Sequence, residues 1–236
     1  YTYVLGTPFC STAADRWLKL AAEPEINVDK ITDAFSVEKL SKEFFDHYKI
    51  QYIRFCKFIA DDATLLQQFI DRTETDSDKA QKPLRDYVKK LLGRLVFLQF
   101  LQKKGWMGVP AANNDWKGGD LNFMANLFDK SPHKDNFLDE VLEPLFFNTL
   151  NAERTNDIAV DIDSSIKIPY LNGGLFEKTT LDDTRVQFPK HYFSELFEFF
   201  NQYNFTIDEN DPDDAEVGID PEMLGHIFEN LLEDNK

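Results

Sequence analysis

The stretch PLRDYVKKLLGRLVFLQFLQKKG, residues 83–105, decides the fold. Leu84, Tyr87, Val88, Leu91, Leu92, Leu95, Leu98 and Leu101 recur at spacings of three and four, which places them on one side of a helix. From Leu95 to Leu101 the segment is apolar nearly all round, with Gln99 the exception. A helix of that kind belongs in the middle of a bundle. Gly105 ends it, and Lys103 and Lys104 stand in the last turn, where cations favour the negative end of the helix dipole. Lys82, Arg85, Lys89, Lys90 and Arg94 are read as its polar side.

Helical periodicity continues in both directions. Upstream, Ser11 or Thr12 caps a short helix with Trp17, Leu18 and Leu20. Ser36 caps a long one in which Val37, Leu40, Phe44, Tyr48, Tyr52, Phe55 and Ile59 form a stripe, continuing through Leu65, Leu66 and Ile70. Residues 72–81 are polar and read as a surface loop. Downstream, residues 109–120 read as a loop, and Asp120 caps a helix with Phe123, Met124, Leu127 and Phe128. A helix over 136–150 carries Pro144, which predicts a kink or a break near Leu142. Residues 151–187 look irregular, with a short strand or hairpin around 166–176 and a tight turn of positive φ at Asn172-Gly173-Gly174. His191 to Tyr203 is helical again. The expected fold is mostly α: an irregular helical bundle with at most a few short strands. Its expected parts are an N-terminal helical lobe over 1–71, a surface loop over 72–82, and a connector bundle over 83–236.

Composition narrows the function. A formal charge of −16 argues against the whole chain being a nucleic-acid-binding module. The charge is polarised, however. Residues 79–104 hold eight bases and one acid, a local +7, whereas residues 206–236 hold eleven acids and one base, a local −10. The basic helix is therefore the candidate for sequence-independent contact with DNA phosphates. The alternative is that its cations solvate one face and pair with the abundant acids. No apolar run approaches the length of a membrane span. With only Cys10 and Cys56, and no CxxC, no disulfide framework is expected and a reducing cytoplasm is.

No catalytic constellation is legible. His47, His133, His191 and His226 lie far apart and none pairs with a second His or Cys at ligand spacing. The acidic run 208–216 lacks the glycine an EF-hand loop needs and is broken by Pro212. Asp115-Trp116-Lys117 matches the D-x-K of metal-dependent nucleases, but its flanks are loop-like, and 42 acids among 26 bases produce such matches by chance. Ile168-Pro169-Tyr170 lacks the Asn or Asp that a methyltransferase N-P-P-Y uses. No residue is assigned as catalytic, cofactor-binding or metal-binding.

Several phrases in fixed order carry a resemblance. They are LGRLVFLQFLQKKGWMG (92–108), GGDLNFMANLF (118–128), EPLFFNTLN (143–151), IPYLNGGLFE (168–177), FFNQYNFTIDEND (199–211) and VGIDPEMLGHIFENLLE (217–233). Together they resemble the central helical region of large single-chain type IIG restriction–modification enzymes and adenine-specific DNA methyltransferases. The resemblance implies a connector without an active site of its own, excerpted from a longer polypeptide. In such a parent, an S-adenosylmethionine-binding methyltransferase domain follows the final helix and packs on it through Met223, Leu224, Ile227 and Phe228. It implies DNA as the partner of that parent. The competing expectation is a self-contained acidic helical scaffold that binds proteins, which would cover Met223, Ile227 and Phe228 itself.

Overall fold

The computed structural model describes residues 12–34, 37–205, 218–219 and 225. In chain order the regular elements are α1 (Thr12–Ala21), α2 (Val28–Ala34), α3 (Val37–Asp61), α4 (Ala63–Leu66), α5 (Ser77–Ala80), α6 (Lys82–Lys103), β1 (Val109–Pro110), α7 (Phe123–Lys130), β2 (Ile158–Ala159), β3 (Asp163–Lys167), α8 (Lys190–Phe200), β4 (Asn204–Phe205) and β5 (Gly218–Ile219). The fold is mostly α, as the periodicity predicts. The expected final helix, with its Asp220 cap and with Met223, Leu224, Ile227 and Phe228, lies outside the described residues, as do the acidic run 208–216, His226 and the caps Ser11 and Ser36. The described residues form two compact units, one within 52–195 and one within 1–51 together with 196–236.

In the 52–195 unit, α6 is buried through most of its length, from Leu84 to Gln102. Its two buried amides serve the neighbouring backbone. Gln102 donates to the Gln99 side chain at 2.7 Å, and its own oxygen accepts the Met124 N–H at 3.0 Å. That bond satisfies one of the donors that a helix start leaves unpaired. It matters because Asn122, the residue at the α7 cap, makes no side-chain cap bond. Asp120, the expected cap, stands two residues before the observed one and accepts from the Asn122 N–H and the Asn126 amide. An aromatic core surrounds these helices: Phe55 meets Phe188 at 4.7 Å between ring centroids, Phe137 meets Phe128 at 5.0 Å and Phe193 at 5.4 Å, and Phe69 meets Tyr87 at 4.9 Å.

Three expectations for this unit are corrected. The long helix does not run on to Ile70, because α3 ends at Asp61. Asp62 then turns extended and caps the separate turn α4 with bonds from the Thr64 and Leu65 N–H groups. Pro144 produces no break. Residues Leu138–Leu142 and Pro144–Leu150 are wound as π-helix, and the N–H groups of Glu143 and Asn151 reach back five residues, to the carbonyls of Leu138 and Phe146. The wider turn houses a ring that would strike the carbonyl four residues back in an α-helix. Finally, the strand falls earlier than 166–176. β3 is the middle strand of an antiparallel β1-β3-β2 sheet, with Val109 opposite Lys167 and Pro110 opposite Ile166. Pro110 can belong to a sheet because β1 is an edge strand.

The loop between α6 and α7 depends on glycine at one close crossing. A Cβ on Gly119 would lie 2.1 Å from the Gly105 carbonyl oxygen, and Gly105 itself has φ of +70°. The Asn172-Gly173-Gly174 segment behaves differently: neither glycine adopts positive φ, against expectation.

The other unit is built on α1, α2 and the ends that α3 and α8 contribute to it. Phe44 stacks on Phe199 at 5.2 Å and meets Tyr203 edge-on at 5.0 Å. The Tyr203 hydroxyl lies 3.1 Å from His47 Nδ1. Arg16 is buried, donating to the Ala34 carbonyl and to Glu43 at 3.1 Å. β4 and β5 pair in parallel, Phe205 opposite Ile219.

Candidate nucleic-acid interface

The five candidate cations of α6, Lys82, Arg85, Lys89, Lys90 and Arg94, do not share one face. Lys82, Arg85 and Lys89 form one row. Lys82 is exposed and ion-paired with Asp86 one turn on. Arg85 holds Asp78 through its carboxylate at 3.2 Å and its carbonyl at 2.8 Å. The Lys89 ammonium lies 5.9 Å from the centre of the Tyr52 ring, and partial burial holds its pKa below the ordinary value. Lys90 and Arg94 form a second row, turned toward residues 175–182. Lys90 donates to the Glu177 carbonyl at 2.8 Å.

Arg94 corrects the sequence reading. It is 2% exposed and therefore no part of a polar face. Its guanidinium donates to both carboxylate oxygens of Asp182, at 2.7 and 3.2 Å, and to the carbonyls of Leu175 at 2.9 Å and Glu177 at 3.1 Å. The rings of Phe146 and Phe147 flank it, with centroids 5.4 and 5.0 Å away. Burial pushes the Asp182 carboxyl up. The bonds from Arg94 and from the N–H and hydroxyl of Thr179 more than offset it, so its pKa lies below the ordinary value. A charge so enclosed is stable only with its partners in place.

Two further cations play the same part, and the sequence singled out neither. Arg154 donates to the carbonyls of Thr149, Ile158 and Ile168, the last at 2.6 Å. It encloses a turn in which Asn156 and Asp157 hold φ of 61° and 57°. Lys167 is buried, bonds the Asn113 carbonyl at 2.6 Å and lies 5.1 Å from the Trp116 ring centre. The irregular stretch lacks a ladder for its carbonyls, and long cationic side chains supply the missing donors. Asp182 was legible in principle, since Thr179-x-x-Asp182 has the spacing of a capping box and forms one.

Glu143 and Asp139 stand beside this hub on the π-helical turn. Glu143 is pushed up to about 7, first by burial and then by Asp139, with Lys178 opposing. A cleft of about 510 Å3 opens elsewhere in the same unit between α7 and β3, where Asp120, Glu140, Asp161 and Asp163 outnumber Lys130. Its charge makes it a poor surface for DNA.

The remaining sequence candidates are dispersed. Asp115 and Lys117 are exposed, 3.9 Å apart. Among the described residues, no three or more His, Cys, Asp or Glu side chains are grouped to hold a metal ion. Likewise, no helix among them is long and apolar enough to cross a membrane.

Comparison with known proteins shows a similarity to a restriction–modification protein. The relative that carries this is RM.MjaORFECS2P of Methanocaldococcus jannaschii, a protein named as a type II restriction enzyme and methyltransferase. It is 26% identical over 175 residues, a stretch covering 67% of this chain and 13% of the relative. No family model matches the chain, and no solved structure matches it.

Proposed function

We propose that this chain is the helical connector of an adenine-specific DNA methyltransferase or type II restriction–modification polypeptide. The observation that carries this reading is the proportion of the match: most of this chain aligns with a small fraction of a restriction–modification protein. The parent transfers a methyl group from S-adenosylmethionine to the amino group of adenine in DNA, in the cytoplasm, and the cofactor is held outside this chain. The connector fixes the separation and orientation of the modules it joins. Its buried α6, with Arg94 binding the 175–182 segment, provides the stiffness that role requires. The row Lys82, Arg85 and Lys89 braces DNA phosphates, while Arg94 is structural.

The test is methyl transfer. The polypeptide encoded by the whole reading frame is expected to move a labelled methyl group from S-adenosylmethionine to adenine in duplex DNA, whereas the isolated chain neither does so nor binds S-adenosylmethionine in a calorimeter. Cofactor binding by the isolated chain, or a whole polypeptide inert on DNA, sinks the reading. DNA binding by the isolated chain is expected to be sequence-independent and steeply weakened by salt. Neutralising Lys82, Arg85 and Lys89 to Gln lowers the log–log salt slope by about 2–3.

A further inference from the structure

The segment Tyr170–Glu177 is held from behind and open in front. Its Leu171 N–H bonds the Leu150 carbonyl at 2.7 Å, Phe176 is buried, and Arg94 and Lys90 grip the carbonyls of Leu175 and Glu177. Asn172, Gly173 and Gly174 are exposed. Neither glycine has an internal reason to be glycine: φ is ordinary at both, and a Cβ on either would meet nothing within 4 Å. Glycine costs backbone entropy in the unfolded chain, so its use where any residue fits is explained when something outside comes close to the backbone. The amide hydrogens tell the same story. Those of Gly173, Phe176 and Glu177 bond carbonyls within the segment, whereas the N–H groups of Asn172, Gly174 and Leu175 have no acceptor among the described residues. Consecutive free N–H groups on a tight curve form an anion-binding concavity. Lys90 stands beside it, its ammonium using one donor on Glu177 and keeping two. Lys178 is already held by Asp183 at 2.7 Å.

We propose that the Asn172–Leu175 turn is a phosphate-binding site, and that its ligand is a backbone phosphate of duplex DNA, bound by the free N–H groups of Gly174 and Leu175 and by Lys90. This rests on the connector reading and adds to the α6 row a second contact, made by backbone and therefore blind to base sequence.

The experiment is fluorescence anisotropy of a labelled 20-base-pair duplex with the full chain at low salt, comparing Gly173→Ala/Gly174→Ala, Lys90→Met and the Lys82, Arg85, Lys89 triple Gln variant. The glycine variant is expected to melt at or above the wild-type temperature, because the added methyl groups meet no atom, yet to bind DNA at least fivefold more weakly. Lys90→Met should weaken binding to a similar extent. If the glycine variant binds as wild type does while the triple variant loses affinity, the phosphate site is overturned and the α6 contact stands. If the wild-type chain binds no duplex, the DNA contact itself is overturned, and the site with it. A glycine variant that melts lower than wild type contradicts the claim that these positions are open.

Discussion

Arg94→Met tests whether the hub holds the irregular region together. The variant keeps the apolar stem and removes the charge. It strands the Asp182 carboxylate, 4% exposed, with only its two Thr179 bonds, at 2.8 Å each. Breaking a buried ion pair from one side costs about 3–5 kcal/mol. The Leu175 carbonyl loses its donor as well, about a further 1 kcal/mol, whereas that of Glu177 retains Lys90. The expected loss is about 4–6 kcal/mol. In urea unfolding, with a slope of about 2–3 kcal/mol per molar, the midpoint falls by about 2 M. The pH dependence has a definite sign. In the wild type the Asp182 pKa lies below the ordinary 3.8, so the stability it contributes is complete above that value and lost as pH falls through the folded one. In the variant burial outweighs the two remaining Thr179 bonds, the folded carboxyl rises, and stability falls as pH rises. The gap between the two proteins therefore narrows on acidification. Asp182→Asn completes a double-mutant cycle with an expected coupling of about 3 kcal/mol. A loss below about 1 kcal/mol for Arg94→Met, or strict additivity with Asp182→Asn, would refute the account.

Two other outcomes follow from the packing. Glu143 has its folded pKa raised from 4.5 to about 7, so stability should decline as pH rises through that window; Glu143→Gln should abolish the decline and gain about 1–2 kcal/mol at pH 8, a figure reduced for its half-exposed position, as read by chemical unfolding across pH. Gly119→Ala should lose at least about 3 kcal/mol, or fail to accumulate folded, because the methyl collides with backbone at Gly105, and a wild-type melting temperature would contradict the crossing.

What was legible follows the physics of each segment. α6 and α7 announce themselves because a buried helix must repeat its apolar residues every three or four positions. Arg94 was misplaced by its residue type, although its spacing was informative: it stands three residues after Leu91, seven after Tyr87 and four before Leu98, on the buried stripe. Spacing should have outweighed charge. Pro144 was read as a break because the α-helix was the only helix considered, and winding by five residues leaves no sequence trace beyond the proline itself. The stretch 151–187 was illegible because its order comes from distant donors. Nothing local marks Leu175 or Ile168 as a carbonyl to be met by an arginine. The candidate interface was half legible: the basic row was visible, but the division between Lys89 and Lys90 depends on what packs to either side. The open turn at Gly173 and Gly174 was noticed, yet read as a requirement of the chain rather than as room beside it.

The hub also dictates an order of events in folding. Arg94 and its partners stand 81 to 88 residues apart along the chain, so their bonds cannot form until that long loop has closed. Residues 171–182 have little structure of their own to nucleate and must condense onto an α6 that is already in place. In reverse they are the first to leave. At equilibrium they should open below the global unfolding free energy, their amides exchanging with solvent sooner than those of the helix that anchors them. A protease directed at this segment would then report on α6 from a distance.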